Sequence, residues 1–307
     1  MMNRFLLLLL TMLSLGLGPG CGDAGKSEGE TVSAQSTADA AEVIAASEFE
    51  GPVALRFMSY NVLWGGGLER GFDQNFLGWQ HPIFDGRDRF AQIMEVIRRA
   101  DPDVLAVQEA AGWEVGSPPV VEQVARDLGM SHVMVKNPYG INVALFSKLP
   151  IISSVDLVGP MGSNAALIAT LRAPDGGSIY VAAGHLDPFT SRMRECQLGM
   201  LLRALEPAAG QRVVLMGDMN FRPTANAFRL LQGAGWQNVA VAESLPIDQI
   251  WLAPWEGWSS EPMWEVGSIE ANLSDHYPVG ARIDFGERRV EPGPVKIEAP
   301  VEGCVPG

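Results

Sequence analysis

A chain of 307 residues, 47% of them hydrophobic, can bury one large core, and a single domain of roughly 230 to 240 residues between two tails is its simplest parse. Lys+Arg number 22 against 36 Asp+Glu, a formal net charge of -14, which excludes a general cationic surface that gathers polynucleotide by counterion release. Part of that acid lies in the tails and says nothing about a cleft.

The chain opens Met1-Met2-Asn3-Arg4, then runs apolar over 5–13 and ends the segment in small residues and Cys21. Residues 1–21 read as an export signal peptide, too short to span a membrane comfortably and followed at once by polar chain. Cys21 directly follows Gly20 and resembles the acylated cysteine of bacterial lipoproteins, which makes a lipid anchor in a membrane the expectation and soluble secretion the alternative. Residues 22–51 are small, polar and acidic, with no aromatic until Phe49, and cannot bury enough apolar area to order themselves. They read as a flexible tether.

The folded domain is expected over 52–285. A strand over 53–61 ends in Asn61 and meets Trp64-Gly65-Gly66-Gly67. The loop 68–85 is either a substrate-facing flap or packed surface. Phe90, Ile93, Met94 and Ile97 recur at helical spacing over 87–100. The apolar strand 103–109 closes on Glu109, and because desolvating a bare carboxylate is costly, a metal ion is its natural partner. A helix over 119–128 precedes strands over 132–135, 142–147, 151–157 and 165–172. Asp175-Gly176-Gly177 turns the chain into a strand over 178–185 that ends in His185.

A helix over 191–205 leads to Val213-Val214-Leu215-Met216, a buried strand running into Gly217-Asp218-Met219-Asn220. The glycine lets the backbone swing so that a carboxylate and a neutral amide emerge together, a pair suited to orienting water beside a phosphate or metal. Alone, Asp and Asn also end strands by bonding the local backbone. A helix over 221–231 and a connection over 233–244 follow, then Asp248 at the head of the strand Asp248-Gln249-Ile250-Trp251-Leu252. Trp255, Trp258 and Trp264 cluster as packing or as a stacking surface. Leu273-Ser274-Asp275-His276-Tyr277-Pro278 precedes a last strand over 279–283, and 286–307 read as a disordered tail. Cys196 and Cys304 permit one bridge, though a buried unpaired Cys196 is the expectation.

Together Asn61, Glu109, His185, Asp218, Asn220, Asp248, Asp275 and His276 stand at strand or loop junctions. Oxygen ligands from Glu109 and an acid such as Asp275 suit Mg²⁺, with Mn²⁺ as a substitute, and no Cys/His cluster has zinc spacing. In this order Ser59-Tyr60-Asn61, Val107-Gln108-Glu109, Ala144-Leu145-Phe146-Ser147-Lys148, Gly184-His185-Leu186-Asp187, Gly217-Asp218-Met219-Asn220, Ile247-Asp248-Gln249-Ile250 and Ser274-Asp275-His276-Tyr277-Pro278-Val279 closely resemble the endonuclease/exonuclease/phosphatase superfamily. Lys148 stands where that superfamily often has arginine.

The resemblance implies a DNase I-like four-layered α/β sandwich, two mainly antiparallel sheets packed face to face with helices outside and the site at one end. It implies metal ligation by Glu109 with Asn61 and Asp275 close by. Asp218 then activates water, Asn220 and His185 hold phosphoryl oxygens, and Asp248 orients His276, itself either a base or a cationic clamp. The function it implies is an exported, divalent-metal-dependent phosphoester hydrolase. Acidic composition tilts the expected substrate toward a small or lipid-headgroup phosphoester rather than nucleic acid, with an extracellular nuclease as the alternative. A non-catalytic envelope binding lipoprotein is the rival of another class. The chain is expected to act as a monomer.

Overall fold

Residues 53–68, 89–137, 140–157, 165–242, 245–263, 273–286, 294–300 and 304 are described in a computed structural model of the chain. The expected signal peptide, Cys21, the tether, Trp264 and the loop 68–85 beyond its first residue lie outside them.

Strand periodicity sets the layers. In β1 (Ala54–Asn61) Leu55 and Phe57 face one way and Met58 and Tyr60 the other, and all four are buried. The first set joins Val104 and Ala106 of β2 (Val104–Gln108) in a core shared with the second sheet. The second set packs under α1 (Phe90–Ala100) and α2 (Val120–Leu128) through Ile93, Met94, Ile97, Val121 and Val124. The other sheet repeats the scheme. Val181 of β7 (Ser178–His185) and Val214 and Met216 of β8 (Arg212–Asp218) point into the shared core, while Tyr180, Val213 and Leu215 meet α3 (Ser191–Leu205) and α4 (Asn226–Gly233). A strand apolar on both faces needs cover on both, and helix, sheet, sheet, helix is the resulting order.

The first six-stranded sheet runs β11 (Ser259–Pro262), β12 (Val279–Asp284), β1, β2, β4 (Val143–Ser147), β3 (Ser131–Val135). The second runs β5 (Ile151–Asp156), β6 (Ala165–Arg172), β7, β8, β10 (Asp248–Leu252), β9 (Gln237–Val241). Each sheet is mixed, antiparallel except for one central parallel pair, β1 with β2 and β7 with β8. A parallel pair needs a crossover, supplied by segments that include α1 and α3. Those two pairs send four C-terminal strand ends to one edge of the sandwich.

Several expectations change. The connection 233–244 contains β9, a half-buried edge strand whose polar Gln237-Asn238 start masks its period, and β11 is an exposed Ser-Ser-Glu-Pro segment made a strand by pairing with β12. The helix expected from 221 starts at Asn226, because Phe221 is drawn into the core and Ala225 is extended. Cys196 is not unpaired: it forms a disulfide with Cys304. Nor is all of 286–307 loose chain. Val295 N–H donates to the Tyr180 hydroxyl at 2.8 Å, and Ile297 is buried in the α3/α4 layer, so a Val-x-Ile alternation docks on the sheet's outer face.

Candidate active site

Register brings the polar strand ends together. Asn61 lies opposite Gln108 in the β1/β2 ladder, one residue before Glu109, and His185 lies opposite Asp218 in the β7/β8 ladder. β10 runs antiparallel to β8 and begins at Asp248 opposite Asp218. β12 runs antiparallel to β1 with Val279 opposite Ser59, so Asp275 and His276 arrive at the same end. Gly217 makes the approach possible. Its φ is +146° and an added Cβ would meet the Gly184 carbonyl oxygen at 2.0 Å.

Asn61 ties the two sheets across the site. Fully buried, its Nδ2 donates to Glu109 Oε1 and to Asp218 Oδ2, each at 3.1 Å, while its Oδ1 accepts from Leu63 N–H at 3.1 Å. Asp218 is the hub: Oδ1 accepts from Asn220 N–H at 3.0 Å, and Oδ2 lies 3.5 Å from His185 Nε2 and 3.7 Å from His276 Nε2. Asn220, at φ +51°, turns its Nδ2 to donate to the Leu186 carbonyl at 2.9 Å. That bond joins the β8 turn to the loop after His185.

His276 Nδ1 lies 2.7 Å from Asp248 Oδ2. Burial alone favours neutral imidazole, but Asp248, with Asp218 and Asp275 behind it, wins and raises the His276 pKa to about 10. Burial likewise pushes the Asp248 carboxyl up against the pull of His276. The pair thus holds a proton at neutral pH, with Nε2 presented to the site. Ser274 fixes the segment: its hydroxyl donates to the Asn61 carbonyl at 2.7 Å and accepts from His276 N–H at 3.1 Å. The Arg89 guanidinium donates to the Leu273 carbonyl at 2.6 Å and the Leu63 carbonyl at 3.2 Å, bracing it from below.

Burial pushes the Glu109 carboxyl up, with His185 and the Asn61 amide pulling it down and the Asp275 charge adding to the rise. A divalent cation would stabilise both carboxylates, the half-buried Glu109 and the exposed Asp275, as anions, and their hard oxygens suit Mg²⁺ or Mn²⁺. Asp218, Asp248 and His276 also offer ligand atoms within 4.8 Å of one another. The donor set at this edge therefore fits a metal ion, although the proton shared by Asp248 and His276 leaves that trio less free to ligate than Glu109 and Asp275.

Several positioning residues escaped the sequence reading. Ser274 stood in a quoted motif without a role, and Arg89 carried no signal because its partners are distant carbonyls. Asp187 Oδ1 accepts from Phe189 and Thr190 N–H at 2.9 and 2.7 Å, while its own N–H donates to Gln197 Oε1 at 2.7 Å, setting the loop after His185. Trp255 is packing: its Nε1–H donates to the Phe285 carbonyl at 2.9 Å and the Arg212 guanidinium lies 5.7 Å from its ring centroid. Trp258 packs against the shared core. Lys148 follows β4 at the far end of the sandwich, pairing with Asp101 at 2.6 Å and Asp103 at 3.3 Å, so this position lies away from the site.

The sequence profile described as the Endonuclease/Exonuclease/phosphatase family matches residues 58–276, a span that begins in β1 and ends on His276. The chain belongs to this family. Its DNase I-like fold recurs in ANGEL2, a 2',3'-cyclic phosphatase, whose structure aligns with a TM-score of 0.61 at 16% identity, covering 76% of this chain and 96% of that one. The human Nocturnin catalytic domain with bound sulfate aligns at 0.59 and 18% identity, over 76% and 93% of the two chains. D. rerio TDP2, humanized by 14 mutations, aligns at 0.55 and 20% identity, over 75% and 99%. At such identities these likenesses carry the fold alone. No curated protein sequence matches the chain significantly. Members of the endonuclease/exonuclease/phosphatase family are hydrolases of phosphoester bonds, and every polar strand end described above falls within the matched span.

Proposed function

We propose that the chain is an exported, divalent-metal-dependent phosphoester hydrolase whose substrate is a small or lipid-headgroup phosphoester. The observation that carries the reading is the convergence of Asn61, Glu109, His185, Asp218 and the Asp248–His276 pair at one edge of the sandwich. Glu109 and Asp275, with Asn61 beside Glu109, would hold Mg²⁺, for which Mn²⁺ could substitute. When bound, the ion neutralises phosphoryl charge as a Lewis acid.

The residues of the chain do the rest. Asp218 accepts a proton from the attacking water, and Asn61, donating to Oδ2, holds that carboxylate in position. His276, protonated through neutral pH, presents Nε2–H to a phosphoryl oxygen, where charge grows in the transition state. Asp248 fixes the ring and carries its counter-charge. His185 and Asn220 complete the cradle for the phosphoryl oxygens. A net charge of -14 favours a compact ester over a polyanion. Export is supported by the apolar leader before Cys21 and by the Cys196–Cys304 disulfide, which suits an oxidising compartment. Acylation of Cys21 would hold the monomer at a membrane.

The test is a panel of p-nitrophenyl phosphate, bis-p-nitrophenyl phosphate, a phosphocholine headgroup ester and supercoiled plasmid, each with Mg²⁺, Mn²⁺ or EDTA. Metal-dependent turnover of a small or headgroup ester is expected. Plasmid as the preferred substrate would replace the substrate class, and no turnover of any would overturn the reading.

A further inference from the structure

The ladder between β2 and β4 ends at Gln108 opposite Val143, yet the next residue on β2 does not continue it. Glu109 takes a left-handed φ of +55°, and Ala110 resumes the pairing: its N–H donates to the Asn142 carbonyl at 3.0 Å and its carbonyl accepts from Asn142 Nδ2 at 3.2 Å. Two residues, Glu109 and Ala110, therefore oppose one, Asn142, which is a β-bulge with the glutamate as the extra residue. Such bulges normally place glycine at the left-handed position, since other side chains are strained there. A strained glutamate persists only where its surroundings over-determine it.

Asn142 supplies that constraint. It is 1% exposed and every polar group it owns is engaged. Its second Nδ2 proton goes to Glu114 Oε2 at 2.7 Å, its Oδ1 accepts from Asn137 N–H at 2.9 Å, and its own N–H donates to the Gly140 carbonyl at 2.9 Å. On the opposite side the Glu109 carbonyl accepts from Gly65 N–H at 2.7 Å, and its Oε2 accepts from Trp64 N–H at 3.3 Å. The bulge rotates the Glu109 side chain out of the strand's alternation and toward Asn61.

We propose that Asn142, anchored by Glu114, is a positioning residue for metal binding: it locks the bulge that aims the Glu109 carboxylate into the site. The inference rests on the metal-dependent reading above. Asn142→Asp replaces both amide donors by a carboxylate oxygen facing Ala110 O and Glu114, so the bulge loses its lock while side-chain size is kept. Glu114→Ala removes only the anchor, and Glu114→Gln restores an acceptor for it.

The experiment measures Mn²⁺ affinity directly by electron paramagnetic resonance of the free ion, using the full chain, with melting temperature in EDTA recorded in parallel. Glu109→Ala is the reference for a lost ligand. Asn142→Asp and Glu114→Ala are expected to weaken Mn²⁺ binding by about 10–100-fold, and Glu114→Gln to bind nearly as the parent does. Hydrolysis by the weakened variants should recover toward the parental rate at saturating metal, a split that loss of folded protein cannot produce. Glu114→Ala keeps the test decisive if Asn142→Asp does not fold. Parental Mn²⁺ affinity in Glu114→Ala would overturn the positioning role and leave the hydrolase reading standing. Parental affinity in Glu109→Ala would overturn both.

Discussion

At the level of single residues, the proposed chemistry turns on the Asp248–His276 pair. With its pKa raised to about 10, His276 is an imidazolium across the neutral range, so activity that needs its proton should persist to alkaline pH and fall as pH rises through about 10. Asp248→Asn removes the counter-charge 2.7 Å from Nδ1 and should shift that alkaline limb down toward the ordinary histidine value, as read from pH–rate profiles. The same raised value has a stability consequence. Favourable charge on folded His276 is fully present below its unfolded pKa and lost as pH rises through about 10, so urea unfolding of His276→Gln should differ from the parent most at low pH and least above it. In the sequence, the pairing of Asp248 with His276 was implied by the family resemblance alone. That Asp248 heads a strand was visible, but its 2.7 Å contact with a residue 28 positions later comes from β10 and β12 entering at one edge.

Elements explain why the site forms where it does. Parallel pairing puts Asn61 level with Gln108, and His185 level with Asp218, and the Gly184/Gly217 contact lets β7 and β8 close up just before their functional ends. Gly217→Ala sets a Cβ against backbone that cannot step aside, at a φ alanine avoids, and should cost more than about 1 kcal/mol of stability by urea unfolding. Central strands were readable because they are apolar on both faces and end abruptly in a polar group, as Val213 to Met216 before Gly217-Asp218 shows. Of the edge strands, β3 and β5 were readable, but β9 and β11 were not. β11 is Ser-Ser-Glu-Pro with all four residues exposed, and only pairing with β12 makes it a strand. The bulge at Glu109 was hidden for a related reason, since nothing local to Val107-Gln108-Glu109 announces that Asn142 will take two residues for one.

For the whole molecule, the chain beyond β12 fastens onto the second sheet's helix layer. The Cys196–Cys304 disulfide closes a sequence separation of 108 residues, and Val295 and Ile297 dock beside Tyr180. Cys304→Ser, or reduction by a phosphine, should lower the melting temperature, with a loss of about 2–4 kcal/mol expected for a natural bridge. An unchanged melting temperature would show that the tail is independent of the domain. At the far end from the site, Arg212 makes a two-point pair with Asp175 at 3.0 and 2.7 Å. Burial of Asp175 opposes its charge, but Arg212 and the Gly177 N–H prevail and hold the carboxyl below its usual range. That contribution is present above the ordinary carboxylate pKa and is lost as pH falls through the depressed one, so Asp175→Asn should narrow the gap in acid stability to the parent only at low pH. The tail's docking could not be read from composition, because a Pro/Gly/Glu-rich background concealed a three-residue Val-Lys-Ile contact.

The most direct measurement is the initial rate of hydrolysis of p-nitrophenyl phosphate and bis-p-nitrophenyl phosphate by EDTA-treated protein as Mg²⁺ is added back, beside folded His276→Ala and Asp218→Asn. Hydrolysis that is absent in EDTA, restored by Mg²⁺ and reduced by about 10²–10⁴-fold in each variant is the predicted result. Hydrolysis insensitive to EDTA, or undiminished in both variants, would contradict a metal-dependent hydrolase built on these strand ends.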